Sequence, residues 1–282
     1  MKEQLIRLSS IEWNKVWKNR SNRILLIGYF LILSLIALIA SIKFNVGNVV
    51  INPATQGAFD FPYIWHLTTF IAGILKFFLA LVVVSMITNE YTYNTLKQNL
   101  IDGLTKAEFI ATKSVVIVGL SLASMLFVMI LTFTLGMIFS SYDDWSLVFT
   151  DWQYLGAYFL KLVGFYSFCL FLGLLFKRSA IAIAFLVLWS IAEGIIYVVL
   201  SKLVFTQGNW ATYIHNCMPL EALANLIKEP FTRFSAVKTI GQAVGENMMK
   251  DYSVPLSAVL IVLVWIVIFH VASYKILKRR DL

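Results

Sequence analysis

Charged residues are scarce in this sequence. Asp, Glu, Lys and Arg make up 13% of its 282 residues, whereas 60% of the residues are hydrophobic. Soluble domains carry about 25% charged residues, because water must solvate their surface. The deficit excludes a large soluble domain and indicates a protein whose apolar surface faces lipid.

Cysteines and catalytic motifs are scarce as well. Cys169 falls inside an apolar run and Cys217 in a loop, so no disulfide framework is expected. The three histidines stand far apart, and the chain has no Gly-Lys-Ser/Thr phosphate loop, no His-Glu-x-x-His and no Gly-x-Ser-x-Gly. We therefore expect no enzyme centre and no cofactor in this chain.

Long hydrophobic runs are what the sequence has instead. About 20 apolar residues cross the hydrocarbon core of a bilayer as a helix. Six runs meet that length, at 24–42, 64–88, 114–139, 154–176, 180–200 and 256–274. The first run follows a charged leader and is longer than the apolar core of a signal peptide, so it is expected to be retained. The sequence predicts an all-α, polytopic membrane helix bundle, with a leader at 1–23 and a six-span transmembrane domain at 24–282.

Basic residues are distributed unevenly between these runs. Loops rich in Lys and Arg stay in the cytoplasm. One side of a six-span chain would hold 15 of the 23 basic residues, namely Lys2, Arg7, Lys15, Lys18, Arg20, Arg23, Lys97, Lys106, Lys113, Lys177, Arg178, Lys275, Lys278, Arg279 and Arg280. The short loops of the other side hold one basic residue and several acids, namely Lys43, Asp143, Asp144 and Asp151. Both termini are therefore expected in the cytoplasm. The net charge of +8 is expected to meet lipid headgroups and not nucleic acid, because no contiguous basic face on a folded domain is indicated.

Two segments outside the spans have membrane-associated patterns. A helix over 3–20 would place apolar residues on one face and basic residues on the other, which is typical of an interfacial helix, although a plain basic flank is the alternative. The apolar face would hold Leu5, Ile6, Trp13, Val16 and Trp17. The segment 201–255 contains a helical pattern at 219–227 that is too short to span. It predicts short re-entrant or interfacial helices, with a folded cap as the alternative.

The loop 89–113 is not a simple linker. Leu96, Leu100 and Ile101 recur at helical spacing, and Gly103 then supplies a break. Thr105 stands three residues before Glu108, which is a capping-box spacing. The loop is expected to fold as a short helix, a turn and the extended start of span three.

Three ionisable residues fall within the spans. Lys76 is central in span two, whereas Lys161 and Glu193 are in the outer halves of spans four and five. Charges at such depth usually face the bundle interior or water. We expect interior positions for Lys76 and Glu193, either as an ion pair or as a polar lining. Lys161 is expected to extend its side chain towards the membrane edge.

The loop after span two resembles that of a known family. Its motif is Glu90-x-x-x-x-Thr95-Leu96, then Gly103-x-x-Lys106-x-Glu108-Phe109 and Lys113. With the basic leader, six spans and long outer segment, the whole chain is similar to the permease subunit of a type-2 ATP-binding cassette (ABC) exporter. Asn94 stands where that family usually has Gly, and Lys106 where it usually has Arg.

The resemblance implies a coupling role for the loop and a connecting role for the leader. The loop would dock on a separate ATPase, through Glu90, Thr95, Leu96, Leu100, Gly103, Lys106 and Glu108. The partner, in two copies, would bind ATP and Mg. A second permease subunit, identical or different, would complete the pathway in a bacterial cytoplasmic membrane. Spans two and five would lie near the dimer axis, so Lys76 and Glu193 would be lining candidates, with Lys161 as a third.

Two other classes of function remain as alternatives. A self-sufficient carrier or channel would use Lys76 and Glu193 for coupling and would transport without a partner. A membrane-embedded enzyme or assembly factor would need converging acid, His or Ser residues within the spans, and the sequence has only scattered ones. Lipid-linked sugars, peptides and drugs are all compatible as exported substrates.

Overall fold

The structure of the protein, a computed structural model, describes residues 2–42, 44–46, 49–51, 57–140, 145–205, 208–233 and 251–280. Lys43, Asp143 and Asp144, which entered the charge argument, lie outside these ranges. Within them the helices are α1 (Lys2–Lys18), α2 (Arg20–Ser41), α3 (Tyr63–Thr92), α4 (Thr95–Ile101), α5 (Lys106–Phe139), α6 (Trp145–Val148), α7 (Gln153–Phe176), α8 (Ser179–Val199), α9 (Trp210–Asn216), α10 (Pro219–Asn225) and α11 (Leu256–Lys278). Strands β1 (Phe44–Val46) and β2 (Val49–Ile51) pair antiparallel between α2 and α3.

In the described part of the chain, six helical segments are long and apolar enough to cross a membrane, and they match the six predicted runs. They are α2, α3, α5, α6 with α7, α8 with its π-helical extension Leu200–Val204, and α11. The prediction of an all-α, multi-pass membrane bundle is therefore confirmed. Several helices begin earlier or end later than the apolar runs, and polar caps start two of them, α2 and α5. Asn19 caps α2 by accepting hydrogen bonds from the backbone N–H groups of Ser21 and Asn22.

Helix α7 is the centre of the bundle. It packs against α3, α5, α8, α10 and α11. A buried hydroxyl cluster ties it to two other spans, since Tyr29 Oη of α2 lies 2.6 Å from Tyr158 Oη, and Ser124 Oγ of α5 lies 2.8 Å from Tyr158 Oη. Hydroxyls that satisfy one another in this way can stay inside an apolar bundle.

One end of the bundle gathers both ends of the chain, and we call it the basic face. Lys106 Nζ, at the start of α5, donates to the Arg280 carbonyl at 2.9 Å. The Arg280 guanidinium donates to Leu174 O at 2.6 Å, to Leu175 O at 3.2 Å and to Tyr91 Oη at 2.9 Å. Helix α1 reaches the same end of α3. The leader, the loop 89–113, the α7–α8 turn and the C-terminal end of α11 therefore share one face.

The opposite end, which we call the cap face, carries the short helices α9 and α10. Trp265 Nε1 of α11 donates to the Cys217 carbonyl at 2.8 Å. A Cβ on Gly164 would lie 2.6 Å from the Leu223 side chain of α10, so this glycine lies at a close contact between α7 and α10. Gly164 lies about 16 Å along α7 from its first residue at 1.5 Å per residue. The predicted short helices are thus present, and α10 inserts between spans as a re-entrant helix would.

Candidate functional site

Four charged side chains meet on the basic face, and we call them the charge cluster: Glu12 and Lys15 of α1, Glu90 of α3 and Lys113 of α5. Lys113 Nζ forms ion pairs with Glu12 and, at 2.7 Å, with Glu90. Lys15 Nζ lies 2.9 Å from Glu12 and 3.1 Å from Glu90. Lys113 is 0% exposed and Glu90 is 3% exposed. Three helices that are distant in sequence are joined here.

The charge cluster is electrically balanced. It holds two carboxylates and two ammonium groups, and each carboxylate contacts both lysines. Buried charges are tolerated only when such partners replace water. Burial lowers the pKa of Lys15, but the contacts with Glu12 and Glu90 outweigh this, and its pKa is raised above the usual 10.5. Lys15 therefore stays charged at neutral pH.

Glu90 also positions α4. Thr95 Oγ1, in the first turn of α4, donates to Glu90 Oε2 at 2.5 Å, and Asn99 Nδ2 lies 3.5 Å from the same oxygen. Leu96 is buried beneath the helix. Asn94 adopts a left-handed conformation at φ 55°, which reverses the chain between α3 and α4. The predicted short helix is present, and its orientation is fixed by the buried carboxylate.

The turn after α4 follows the sequence pattern closely. Gly103 has φ 95°, a conformation that glycine adopts without strain. Thr105 and Glu108 form both hydrogen bonds of a capping box at the start of α5. Both the predicted break and the predicted capping box are confirmed.

Helix α4 leaves apolar side chains exposed at the tip of the basic face. Tyr93, just before the first turn of α4, is 71% exposed, and Ile101, its last residue, is 70% exposed. Beside them, a cavity of about 500 Å³ separates α1 from the end of α3. Three members of the charge cluster form part of its wall, namely Glu12, Lys15 and Glu90. The tip is thus a firmly held, partly apolar surface next to a cleft.

The predicted coupling residues divide into buried and exposed groups. Glu90 and Leu96 are buried, and Thr95 and Leu100 are half-buried, so these four hold α4 in place. Lys106 reaches the C-terminal tail through the Lys278 and Arg280 carbonyls. Glu108 is engaged in its capping box. The exposed surface is instead made by Tyr93, Lys97, Gln98, Ile101 and Asp102.

Glu12 and Lys113 were missed as functional partners of Glu90. Lys113 was visible as the last residue of the loop motif, but Glu12 was not distinguished from other leader residues. Its only signal is an acid that stands three positions before Lys15 in a helix where basic residues outnumber acids. The contact with Glu90 spans 78 residues of sequence through Lys113, and no local pattern encodes it.

Glu193 is buried, as expected, but its partners are not lysines. Its carboxylate accepts hydrogen bonds from the backbone N–H groups of Leu220 at 3.1 Å and Glu221 at 2.9 Å, and from Trp189 Nε1 at 2.7 Å. The first turn of α10 has no cap of its own, so Glu193 acts as its cap from α8. The alternative of a Lys76–Glu193 ion pair is therefore wrong.

The two intramembrane lysines lie along the contact between α3 and α7. Lys76 Nζ lies 4.4 Å from the ring centre of Phe165. Lys161 is 5% exposed and packs near Gly73, where the missing side chain leaves room. The expectation that Lys161 reaches the membrane edge is wrong, because this space accommodates it inside the bundle. The pathway-lining role of Lys76, Lys161 and Glu193 stays a prediction.

The described residues contain no group of three His, Cys, Asp or Glu side chains that could hold a metal ion. A search among curated proteins finds no match to the chain. Residues 30–282 match the model of a family described as a protein of unknown function, DUF2705. Because this match covers nearly the whole chain, with part of the first span and the other five in full, the protein belongs to the DUF2705 family.

Proposed function

We propose that the protein is the membrane permease subunit of a type-2 ABC exporter. Two permease subunits, identical or different, form the pathway in a bacterial cytoplasmic membrane. Two separate ATPase subunits bind and hydrolyse Mg–ATP, so this chain is not itself an enzyme. The observation that carries the proposal is the rigid attachment of α4 to the charge cluster, with Tyr93 and Ile101 exposed at its tip.

Helix α4 is attached in a way that would pass its displacement to the spans. Seven residues are too few to form a stable helix alone in water. Here Glu90 fixes the first turn of α4 and also pairs with Lys113 of α5 and Lys15 of α1. A displacement of α4 by a docked ATPase would therefore move α1, α3 and α5 together. This is the coupling that an ATP-driven pathway needs.

The placement of the other elements supports the same function. The leader lies against the loop 89–113, so one ATPase surface could contact both. On the cap face, α10 inserts between α7, α8 and α11 and closes the opposite end. A closed outer end and a docking tip at the inner end suit export by alternating access.

The test is capture of an ATPase subunit by the tagged chain, with the ATPase encoded beside it co-expressed. We expect stable recovery of an ATPase for the wild type and at least about tenfold less for Tyr93→Ser combined with Ile101→Ser, since both side chains would contact the partner. Leu203→Ser, an equally exposed apolar residue far from the tip, is the matched control and should keep full recovery.

Two outcomes would contradict the proposal. The first is the absence of any ATPase from the purified wild-type chain together with unchanged activity of the tip variants. The second is gradient-driven transport by the chain alone in liposomes, which would favour the self-sufficient carrier or channel.

A further inference from the structure

Two lysine side chains, Lys76 and Lys161, extend into the contact between α3 and α7. Gly73 and Lys76 of α3 interdigitate with Lys161 and Phe165 of α7, as the contacts at Gly73 and at the Phe165 ring show. Both helices start at the cap face. Lys161 is about 12 Å and Lys76 about 20 Å along its helix from that end, at 1.5 Å per residue. We call Lys76 and Lys161 the lysine pair.

Neither ammonium group of the lysine pair has an ionic partner. Among the described residues, no carboxylate lies within 4 Å of either, and neither makes a hydrogen bond. Glu221 is the acid that attracts Lys161 from a distance, but its carboxylate lies 3.8 Å from His215. The Glu193 carboxylate is occupied by the N–H groups of α10.

This arrangement contrasts with the charge cluster. There, two lysines face two carboxylates and the charges balance. In the lysine pair, no carboxylate offsets either lysine, and even one charge in such a region costs a few kcal/mol or more. Intramembrane charges without a protein partner are typical of positions that meet a ligand or an ion pathway. The missing component is a negative charge.

We propose that the lysine pair binds an anionic group of an amphiphilic substrate, such as a phosphate or carboxylate on an apolar body. Lys76 and Lys161 supply the charge, and Phe165 and the exposed Phe77 supply apolar contact. Lys76 is only half-buried, and its neighbours Ile74 and Phe77 are exposed, so the site opens sideways from α3. That the anion is a transported substrate rests on the proposed function, whereas its binding does not.

The test uses the purified full chain alone, in a neutral maltoside detergent. The thermal unfolding midpoint is measured with dodecyl phosphate, with inorganic phosphate and with zwitterionic dodecylphosphocholine. A ligand at about 100 times its Kd should raise the midpoint by roughly 5–10 °C. We expect this rise with dodecyl phosphate and no rise with dodecylphosphocholine. A similar rise with inorganic phosphate would assign the site to free anions, which also supports an anion site.

Variants test whether the rise in the unfolding midpoint depends on the lysine pair. Lys161→Met and Lys76→Met should each reduce it to less than about a third, while Lys202→Met, at an exposed lysine of the cap face, should keep it. Without ligand, Lys161→Met should unfold at or above the wild-type temperature, because it removes a buried polar group that has no partner. Three results would overturn the proposal: an equal rise of the unfolding midpoint in all variants, no rise in the wild type, or failure of Lys161→Met to fold. Since no ATPase takes part, the result is independent of the capture experiment.

Discussion

Lys113 lies entirely inside the protein and forms ion pairs, because Glu12 and Glu90 take the place of water around its ammonium group. The same carboxylates hold Lys15. A network of this kind contributes less to stability than to geometry, since desolvation offsets much of the attraction. Its consequence is that α1, α3 and α5 have one relative arrangement.

Replacement of Lys113 by methionine should therefore be strongly destabilising. It would leave two carboxylates facing each other with Lys15 as their sole partner in the cluster. Breaking a buried ion pair on one side typically costs about 3–5 kcal/mol, and we expect a loss of that size in thermal unfolding. Lys97→Met, at an exposed lysine of α4, should change stability by less than about 0.5 kcal/mol. Equal stability of the two variants would refute the role given to the charge cluster.

Single residues were predicted with mixed success, for a physical reason. Local patterns identified Gly103 and the Thr105–Glu108 capping box, because turns and caps depend on neighbours in sequence. The partners of Lys76, Lys161 and Glu193 depend on which spans pack together. A sequence shows that a charge is buried, but it does not show which helix end or which aromatic ring meets it.

At the scale of elements, α10 is a short helix that depends on another helix for its cap. Its own first turn offers no side-chain hydrogen bond, and the Glu193 carboxylate supplies two from α8. A negative charge at this position also complements the helix dipole. The attachment of α10 on the cap face thus depends on one residue of span five, Glu193.

Removal of the Glu193 carboxylate should destabilise α10 on the cap face. Glu193→Ala is expected to lower the free energy of unfolding by about 1–2 kcal/mol, as the loss of a cap does. Protease cleavage within 208–233 from the cap face should become several-fold faster. Glu193→Gln keeps one acceptor oxygen and should show a smaller effect. Unchanged cleavage in Glu193→Ala would contradict the capping role.

Elements were easier to predict than contacts. The six spans follow from length and hydrophobicity, which act over about 20 consecutive residues. The hairpin of β1 and β2 was not predicted, although Gly47-Asn48 between two runs containing valine is a hairpin signal. The π-helical turn at Leu200–Val204 was also not predicted, since nothing in its composition distinguishes it from α8.

At the scale of the whole molecule, the chain has two unlike ends. The basic face collects the leader, the loop 89–113 and the C-terminal end of α11, while the cap face collects α9 and α10. Charge asymmetry between loops predicted the same grouping, since Lys and Arg are held on one side during insertion. Which side is the cytoplasm follows from that rule and is open to direct measurement.

Cysteines introduced one at a time in a Cys217→Ser background, in which the buried Cys169 remains, test the orientation with a membrane-impermeant maleimide. Lys97→Cys and Lys278→Cys should react only after the cells are permeabilised, whereas Asn209→Cys should react in intact cells. Opposite accessibility of positions 97 and 278 would contradict the shared basic face. Labelling of both in intact cells would keep the fold and reverse the proposed orientation.

Arg280 has a consequence for how the protein is made. It donates to the Leu174 and Leu175 carbonyls at the end of α7, yet it follows all six spans in the chain. During synthesis, α7 therefore lacks these two hydrogen bonds at its C-terminal end until α11 and Arg280 have been made. A nascent chain that stalls before residue 280 leaves the Leu174 and Leu175 carbonyls without this donor.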